Sequence, residues 1–141
     1  MEKGQEKKKI QYHWEIDAYK LSVEAAMEIY ELSKSFPEEE KYSLIDQIRK
    51  SSRSVSAQIA EGWRRRKYRA AFVNKMNEAE GEAAETQVWL EYSVKCLYMS
   101  REDGTRLHRK YDEILGKLIN MQKATHAFGL AGNRPEQWCF S

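Results

Sequence analysis

Apolar residues recur every three or four positions over four long stretches of this chain, the period of a helix buried along one side. In the first stretch, from Trp14 to about Lys34, they fall on two arcs. Ile16, Tyr19, Val23, Met27 and Tyr30 share one; Ala18, Leu21, Ala25, Ile29, Leu32 and Phe36 share a nearly opposite one. Asp17, Lys20, Glu24, Glu28 and Glu31 leave only a narrow polar edge. A surface helix of a monomer needs one apolar stripe. Two readings stay open: a deeply buried central helix, or a helix that turns one arc to its own bundle and the other to a neighbouring subunit. On the second reading, Ile16, Tyr19, Val23, Met27 and Tyr30 form an oligomer interface, to which Glu61 is also assigned.

Phe36-Pro37 ends this helix, because the residue before proline avoids helical geometry. Ser35 is a candidate cap for the next helix, with Pro37 and Glu38–Glu40 in its first turn. The second helix carries Ile45, Ile48, Ser52, Val55 and Ile59 on its apolar face and is rich in Ser and Ala, which predicts close approach to its neighbours. Gly62 stands where a terminating glycine belongs. A third helix, from about Lys67 to Met99, repeats Phe72, Met76, Ala79, Ala83, Thr86, Leu90, Val94 and Leu97 at heptad spacing. Ser100 with Glu102 and Asp103 reads as a capped restart. The fourth helix, to about Phe128, carries Leu107, Tyr111, Ile114, Leu118, Met121 and Phe128. Short connections between four helices predict an all-α, up-down-up-down antiparallel four-helix bundle over residues 14–128. Residues 1–13 read as a flexible basic tail and 129–141 as a turn-rich C-terminal tail bearing Trp138 and Phe140.

Composition agrees with that class and adds little chemistry. A chain of 141 residues holds one domain by default, and 7 Gly with 2 Pro suit helices. The 8 Tyr and 4 Trp are many for one small polar bundle to cover, which points again to assembly. Cys96 and Cys139 have neither CxxC spacing nor nearby histidines, so they read as reduced thiols, Cys96 as a small buried hydrophobe. The opening MEKGQEKKK has no apolar run behind it, and no segment reaches membrane-spanning length, so neither a signal peptide nor a membrane partner is expected. The expected location is cytoplasmic.

Charge is segregated. Between Arg49 and Arg69 the residues Arg49, Lys50, Arg53, Arg64, Arg65, Arg66, Lys67 and Arg69 oppose Glu61 alone, a net +7 in a chain whose total is +2; the rest must sum to −5. We call the turn between the second and third helices the elbow. Its cations fall near a helix N-terminus, where they repel the macrodipole, and a bound anion would reverse that sign. Arginine forks with free backbone N–H groups form a phosphate seat, so all eight cations, from Arg49 to Arg69, are expected to bind nucleic acid, and Trp63 and Tyr68 could stack on unpaired bases. Two other readings stay open: ion pairs with the glutamates of the first and third helices, within or between subunits, and plain solubility. Glu61 opposes the dipole at a helix C-terminus and calls for an ion pair to Arg64, Arg65 or a neighbouring subunit's arginine. His13, His108 and His126 lie in unrelated contexts and read as surface or capping residues. No Glu-x-x-His pair faces inward, as a di-iron bundle would need. No catalytic residue, metal, cofactor or small-molecule substrate is expected.

Phe36-Pro37, then Leu44, Gln47 and Arg49, then Ile59-Ala60-Glu61-Gly62 followed by arginines, together with Ala79-Glu80-Gly81-Glu82-Ala83-Ala84-Glu85 ending at Leu90, resemble one bacterial family. It is that of the proteins encoded in intervening sequences of 23S ribosomal RNA genes, also labelled S23 ribosomal proteins, and the likeness runs from about Trp14 to Thr125. The resemblance implies a cytosolic four-helix bundle assembled as a ring, usually a homopentamer, without known catalytic activity. The accessory proteins of diversity-generating retroelements are similar in fold and assembly and work with a reverse transcriptase and RNA. The resemblance therefore implies self-association, RNA or DNA, and a nucleic-acid enzyme as partners. This chain departs from the family's pattern at Gln58 (usually Asn), at Glu82 (usually Ser) and at Trp63–Lys67, which replaces a glycine-rich turn and makes the elbow more cationic.

Overall fold

Each apolar stretch becomes a helix. The computed structural model describes residues 9–132, through which the chain forms α1 (Asp17–Ser33), α2 (Leu44–Arg64), α3 (Arg69–Lys95) and α4 (Arg101–Gly132). Short 3-10 turns at His13–Glu15 and Glu38–Glu40 precede α1 and α2, and no strand occurs among the described residues. Cross-helix pairs fix the directions. Trp63 meets Gln11 while Arg49 meets Ser33; Gly62 faces Met76 while Ser51 meets Thr86; Glu91 meets His108 while Gln87 meets Asp112; Glu28 pairs with Arg106 while Glu24 meets Lys110. Residue numbers rise on one helix as they fall on the next, so neighbours are antiparallel, and α4 returns to α1 to close a four-helix bundle.

The core is the intersection of the four stripes. Ile29, Ile48, Val55, Ile59, Phe72, Met76, Leu107, Tyr111, Ile114 and Leu118 are fully buried. The closest seam lies between α2 and α3, where small residues (Ser51, Ser52, Gly62 on one side; Ala79, Ala83, Thr86 on the other) are buried against each other. The Thr86 hydroxyl donates to Ser51 Oγ at 2.8 Å, so these two buried hydroxyls are paired across the seam. Glu82, on the same helix, is partly buried. Burial first, then the neighbouring Glu85, pushes its carboxyl above the ordinary range, and a hydrogen bond from Ser54 opposes them.

Several expectations change on contact with the structure. The acidic run Glu38–Glu40 forms a 3-10 turn rather than the first turn of α2, while Ser35 bonds back to the Leu32 carbonyl. The negative charge still reaches the helix: Glu40 accepts the Leu44 N–H at 3.2 Å and hydroxyl protons from Ser43 and Tyr98. Gly62 does not stop α2, which runs on to Arg64, and no glycine among the described residues has positive φ. The glycine answers a packing need instead, since a Cβ there would lie 2.5 Å from Met76 Cε and 3.0 Å from Lys75 Cβ.

At the other end of α3, the stripe fails at Leu97, because the helix stops at Lys95 and Leu97 turns left-handed (φ 66°) into solvent. Tyr98 N–H reaches the Ser93 carbonyl and Leu97 N–H the Val94 carbonyl, a Schellman closure with leucine where glycine is usual. The same stop leaves Cys96 exposed, not buried. The restart follows the sequence reading: Ser100 Oγ accepts the Asp103 N–H at 3.0 Å.

In α1 the arc through Ala18, Ala25 and Ile29 is buried, and Ile16 joins it at 4% exposure. Ile16 is therefore a core residue of its own chain and unavailable to an oligomer interface. Residues 9–13, expected to fray, rest on the bundle: Ile10 packs against the core and the Gln11 carbonyl accepts from Trp63. Helix α4 continues past Phe128 to Gly132. The expectations for residues 1–8 and for Trp138, Cys139 and Phe140 lie outside the described residues, as do those for the side chains of His126 and Phe128.

Candidate nucleic-acid interface

The eight cations of the Arg49–Arg69 stretch do not form one patch, because α2 runs unbroken from Leu44 to Arg64. At about 1.5 Å per residue, Lys50 and Arg65 stand roughly 22 Å apart along it. The distal group serves the fold. Arg49 Nε donates to Ser33 Oγ at 2.8 Å and Nη2 approaches the Tyr30 carbonyl at 3.5 Å, so a cation sits at the C-terminus of α1, where the dipole favours it. The Arg49 guanidinium also covers the Tyr30 ring at 4.8 Å, with Lys34 at the same distance and Arg53 at 5.7 Å. Tyr30, expected at a subunit interface, is half-buried beneath these cations. Lys50 pairs with Asp46 at 3.5 Å.

At the elbow the roles divide again. Trp63 is 4% exposed and cannot stack on a base as the sequence reading expected. Because α2 continues through Gly62, Trp63 follows Ile59 by four residues and shares its buried face. Its Nε1 donates to the Gln11 carbonyl at 3.1 Å. Arg66 lies over the indole at 4.2 Å and donates through Nη1 to the Trp63 carbonyl at 2.9 Å, capping the end of α2. Arg66 thus belongs to the fold rather than to a ligand seat. Arg69 is half-buried and lines a shallow cleft with Val73, Ile119, Gln122 and Lys123, toward α4.

Arg64, Arg65 and Lys67 remain. All three are exposed, and none takes part in the ion pairs formed among the described residues. Tyr68 beside them is 63% exposed, with Lys67 Nζ 5.7 Å from its ring centroid. The first turn of α3 holds no acidic residue and no side-chain cap, so its N-terminal amides add to the positive potential. Glutamates that could have quenched these arginines are engaged elsewhere. Glu61 pairs with Lys75 at 2.9 Å rather than with Arg64 or Arg65; that ammonium holds the Glu61 carboxyl below its usual range, and Arg65 adds a weaker pull. Glu24 and Glu28 pair with Arg106 and Lys110 of α4.

Sequence reasoning missed the aromatic pair at this end. Tyr12 and Trp14 stack face to face, centroids 4.5 Å apart and planes 4° from parallel, at 45% and 55% exposure. The signal is the density of rings at Tyr12-His13-Trp14, which straddles the boundary between the expected tail and the expected first helix. Of the α1 residues expected at an interface, Tyr19 and Val23 are half-buried and Met27 is exposed. Among the described residues no cluster of His, Cys, Asp or Glu could hold a metal ion, and no helix is long and apolar enough to cross a membrane.

Comparison with known proteins places this geometry in a family. No curated protein matches the chain. A crystal structure of a protein of unknown function from the S23 ribosomal protein family of Bacteroides thetaiotaomicron VPI-5482 superposes with a TM-score of 0.68 at 34% identity, covering 75% of this chain and 98% of that one. The family model for the 23S rRNA-intervening sequence protein matches residues 15–120, which take in α1, α2, α3, the whole elbow and the first part of α4. The chain belongs to the 23S rRNA-intervening sequence protein family.

Proposed function

We propose that this chain is a non-enzymatic, cytoplasmic, homo-oligomeric protein that binds RNA or DNA without sequence readout through Arg64, Arg65, Lys67 and Tyr68, as an accessory to a nucleic-acid enzyme such as a reverse transcriptase. One observation carries the reading: these three cations stand exposed at one turn, in none of the ion pairs formed among the described residues, while Glu61 beside them pairs with Lys75. Arg64 and Arg65 close α2, where the dipole favours cations, while Lys67 stands just before α3, whose N-terminus disfavours it; the three like charges repel one another, and a polyanion seated there would relieve that repulsion. Such contacts go to phosphate, which sets affinity and carries no sequence information. A ring of subunits, a pentamer as the family resemblance implies, would repeat the patch and multiply weak contacts.

Anisotropy of a labelled RNA or DNA at low salt tests this. Reversing Arg64, Arg65 and Lys67 to Glu should weaken binding by about 10-fold or more, while Lys50→Glu, already paired to Asp46, should change it little. Wild-type protein without affinity, or a triple variant that binds as well as wild type, overturns the reading.

The competing reading is a protein–protein assembly module with no nucleic-acid role. It draws on Met27, exposed on the outer arc of α1. It predicts a salt-insensitive oligomer that purifies free of nucleic acid.

A further inference from the structure

We propose that Tyr12 and Trp14 form a base-stacking platform beside the elbow cations, and that the polyanion bound there is single-stranded rather than duplex. The inference rests on the elbow reading above and adds the form of the ligand. Position comes first. The 3-10 turn that carries these rings packs on α2 as well as α1, and the Trp63 Nε1 bond to the Gln11 carbonyl fixes the residue before Tyr12 to the one before Arg64. Lys9, also exposed, extends the positive charge of this end.

Geometry comes second. Tyr12 and Trp14 lie parallel, so one face of each ring is filled by the other, and both residues still keep about half their surface in solvent. His13 stands steeply across both Trp14, at 5.1 Å and 80°, and Tyr19, at 4.9 Å and 69°, and so links the stack to α1. Gln11 N–H donates to Glu15 Oε1 at 3.0 Å, so the carboxylate of this turn is engaged by the segment's own backbone. The pair is thus held in place before any ligand arrives, which lowers the ordering cost of binding.

Chemistry decides the ligand. A base in a duplex is stacked on both faces and offers the platform nothing, so a duplex would meet only the cations. An unpaired base can stack on the outer face of either ring while its phosphates reach Arg64, Arg65 or Lys67; such stacking tolerates every base. The two sets of residues therefore separate by ligand. The cations act on any nucleic acid, the rings on single strands alone.

The test compares a labelled homopolymeric single strand with a duplex of equal length, using the full chain at low salt. The double variant Tyr12→Ala/Trp14→Ala should lose about 10-fold or more on the single strand and keep its duplex affinity, which also reports that it folds. Tyr12→Phe/Trp14→Phe, which keeps both ring faces, should retain most of the single-strand affinity. If the alanine variant binds the single strand as wild type does, or loses equally on both ligands, the platform is overturned and the elbow reading stands. If wild type binds neither ligand, both fall.

Discussion

Trp63 Nε1 donates to the Gln11 carbonyl at 3.1 Å across 52 residues of sequence, and this bond joins the N-terminal segment to the elbow. Trp63 is buried, so its indole N–H would be costly to leave without an acceptor. Trp63→Phe keeps an aromatic ring at the site but removes the donor. We expect a stability loss of about 1–2 kcal/mol and faster amide hydrogen exchange confined to the segment around Gln11–Glu15. Unchanged exchange there would show that the segment is held by its other contacts.

Gly62 and Met76 make a second prediction, in which two kinds of helical glycine behave oppositely. Gly81 and Gly116 have open space where a Cβ would go. Replacing either by Ala should stabilise the protein by about 0.5–1 kcal/mol, the ordinary helix-propensity gain. At Gly62 the new methyl would press on Met76, which is fully buried, and on Lys75 Cβ, which its own helix holds in place. Gly62→Ala should cost about 1–3 kcal/mol. Denaturant midpoints of the three variants check the signs, and a stabilised Gly62→Ala would contradict a close α2–α3 approach.

Those glycines also show where the sequence was legible. Helix number, order and the stripes of α2, α3 and α4 follow from the period of Ile48, Val55, Ile59, Phe72, Ala79, Leu107 and Leu118, because burial on a helix imposes that period. The elbow was less readable for one physical reason. A glycine after a helical run signals a stop more often than a close crossing, and taking Gly62 as a stop placed Trp63 in a loop among arginines. Reading the stripe onward through Ile59 to Trp63 would have buried it. The roles of Arg49 and Arg66 depend on carbonyls and rings reached in three dimensions, for which spacing along the chain offers no rule.

Leu97 pays for a left-handed backbone with a side chain that buries nothing. The Schellman closure around it needs only the backbone. Leu97→Gly should therefore raise stability by about 1 kcal/mol, and Leu97→Asn by less. Thermal melts distinguish this from a packing role for Leu97, which would make both substitutions destabilising.

Tyr98 and Glu40 tie the α3–α4 turn to the start of α2, and they titrate in opposite directions. The Tyr98 phenol donates to Glu40 Oε2 at 2.9 Å. That bond to the carboxylate, then burial, pushes the Tyr98 pKa from 10.0 up to about 12. Since the folded value is the higher, this contribution to stability is whole below pH 10.0 and is lost as pH rises toward about 12. Glu40 is held below its ordinary 4.5 by hydrogen bonds from Ser43, Tyr98 and the Leu44 amide. Its contribution is present above that value and is lost as pH falls through the lowered one. In an absorbance titration, Glu40→Gln should return one late-ionising tyrosine toward its ordinary range. Tyr111, raised by burial alone, should stay late in both proteins. A titration unaffected by Glu40→Gln would break the link.

The claim that the elbow is a polyanion seat is tested most directly by the salt dependence of single-strand binding. Three engaged cations per subunit, Arg64, Arg65 and Lys67, should release counterions so that log K falls against log salt with a slope of about −2 for each subunit in contact with the strand. Reversing them to Glu should remove most of that slope. A wild-type affinity that is flat in salt, or a slope the triple variant retains, would contradict the account.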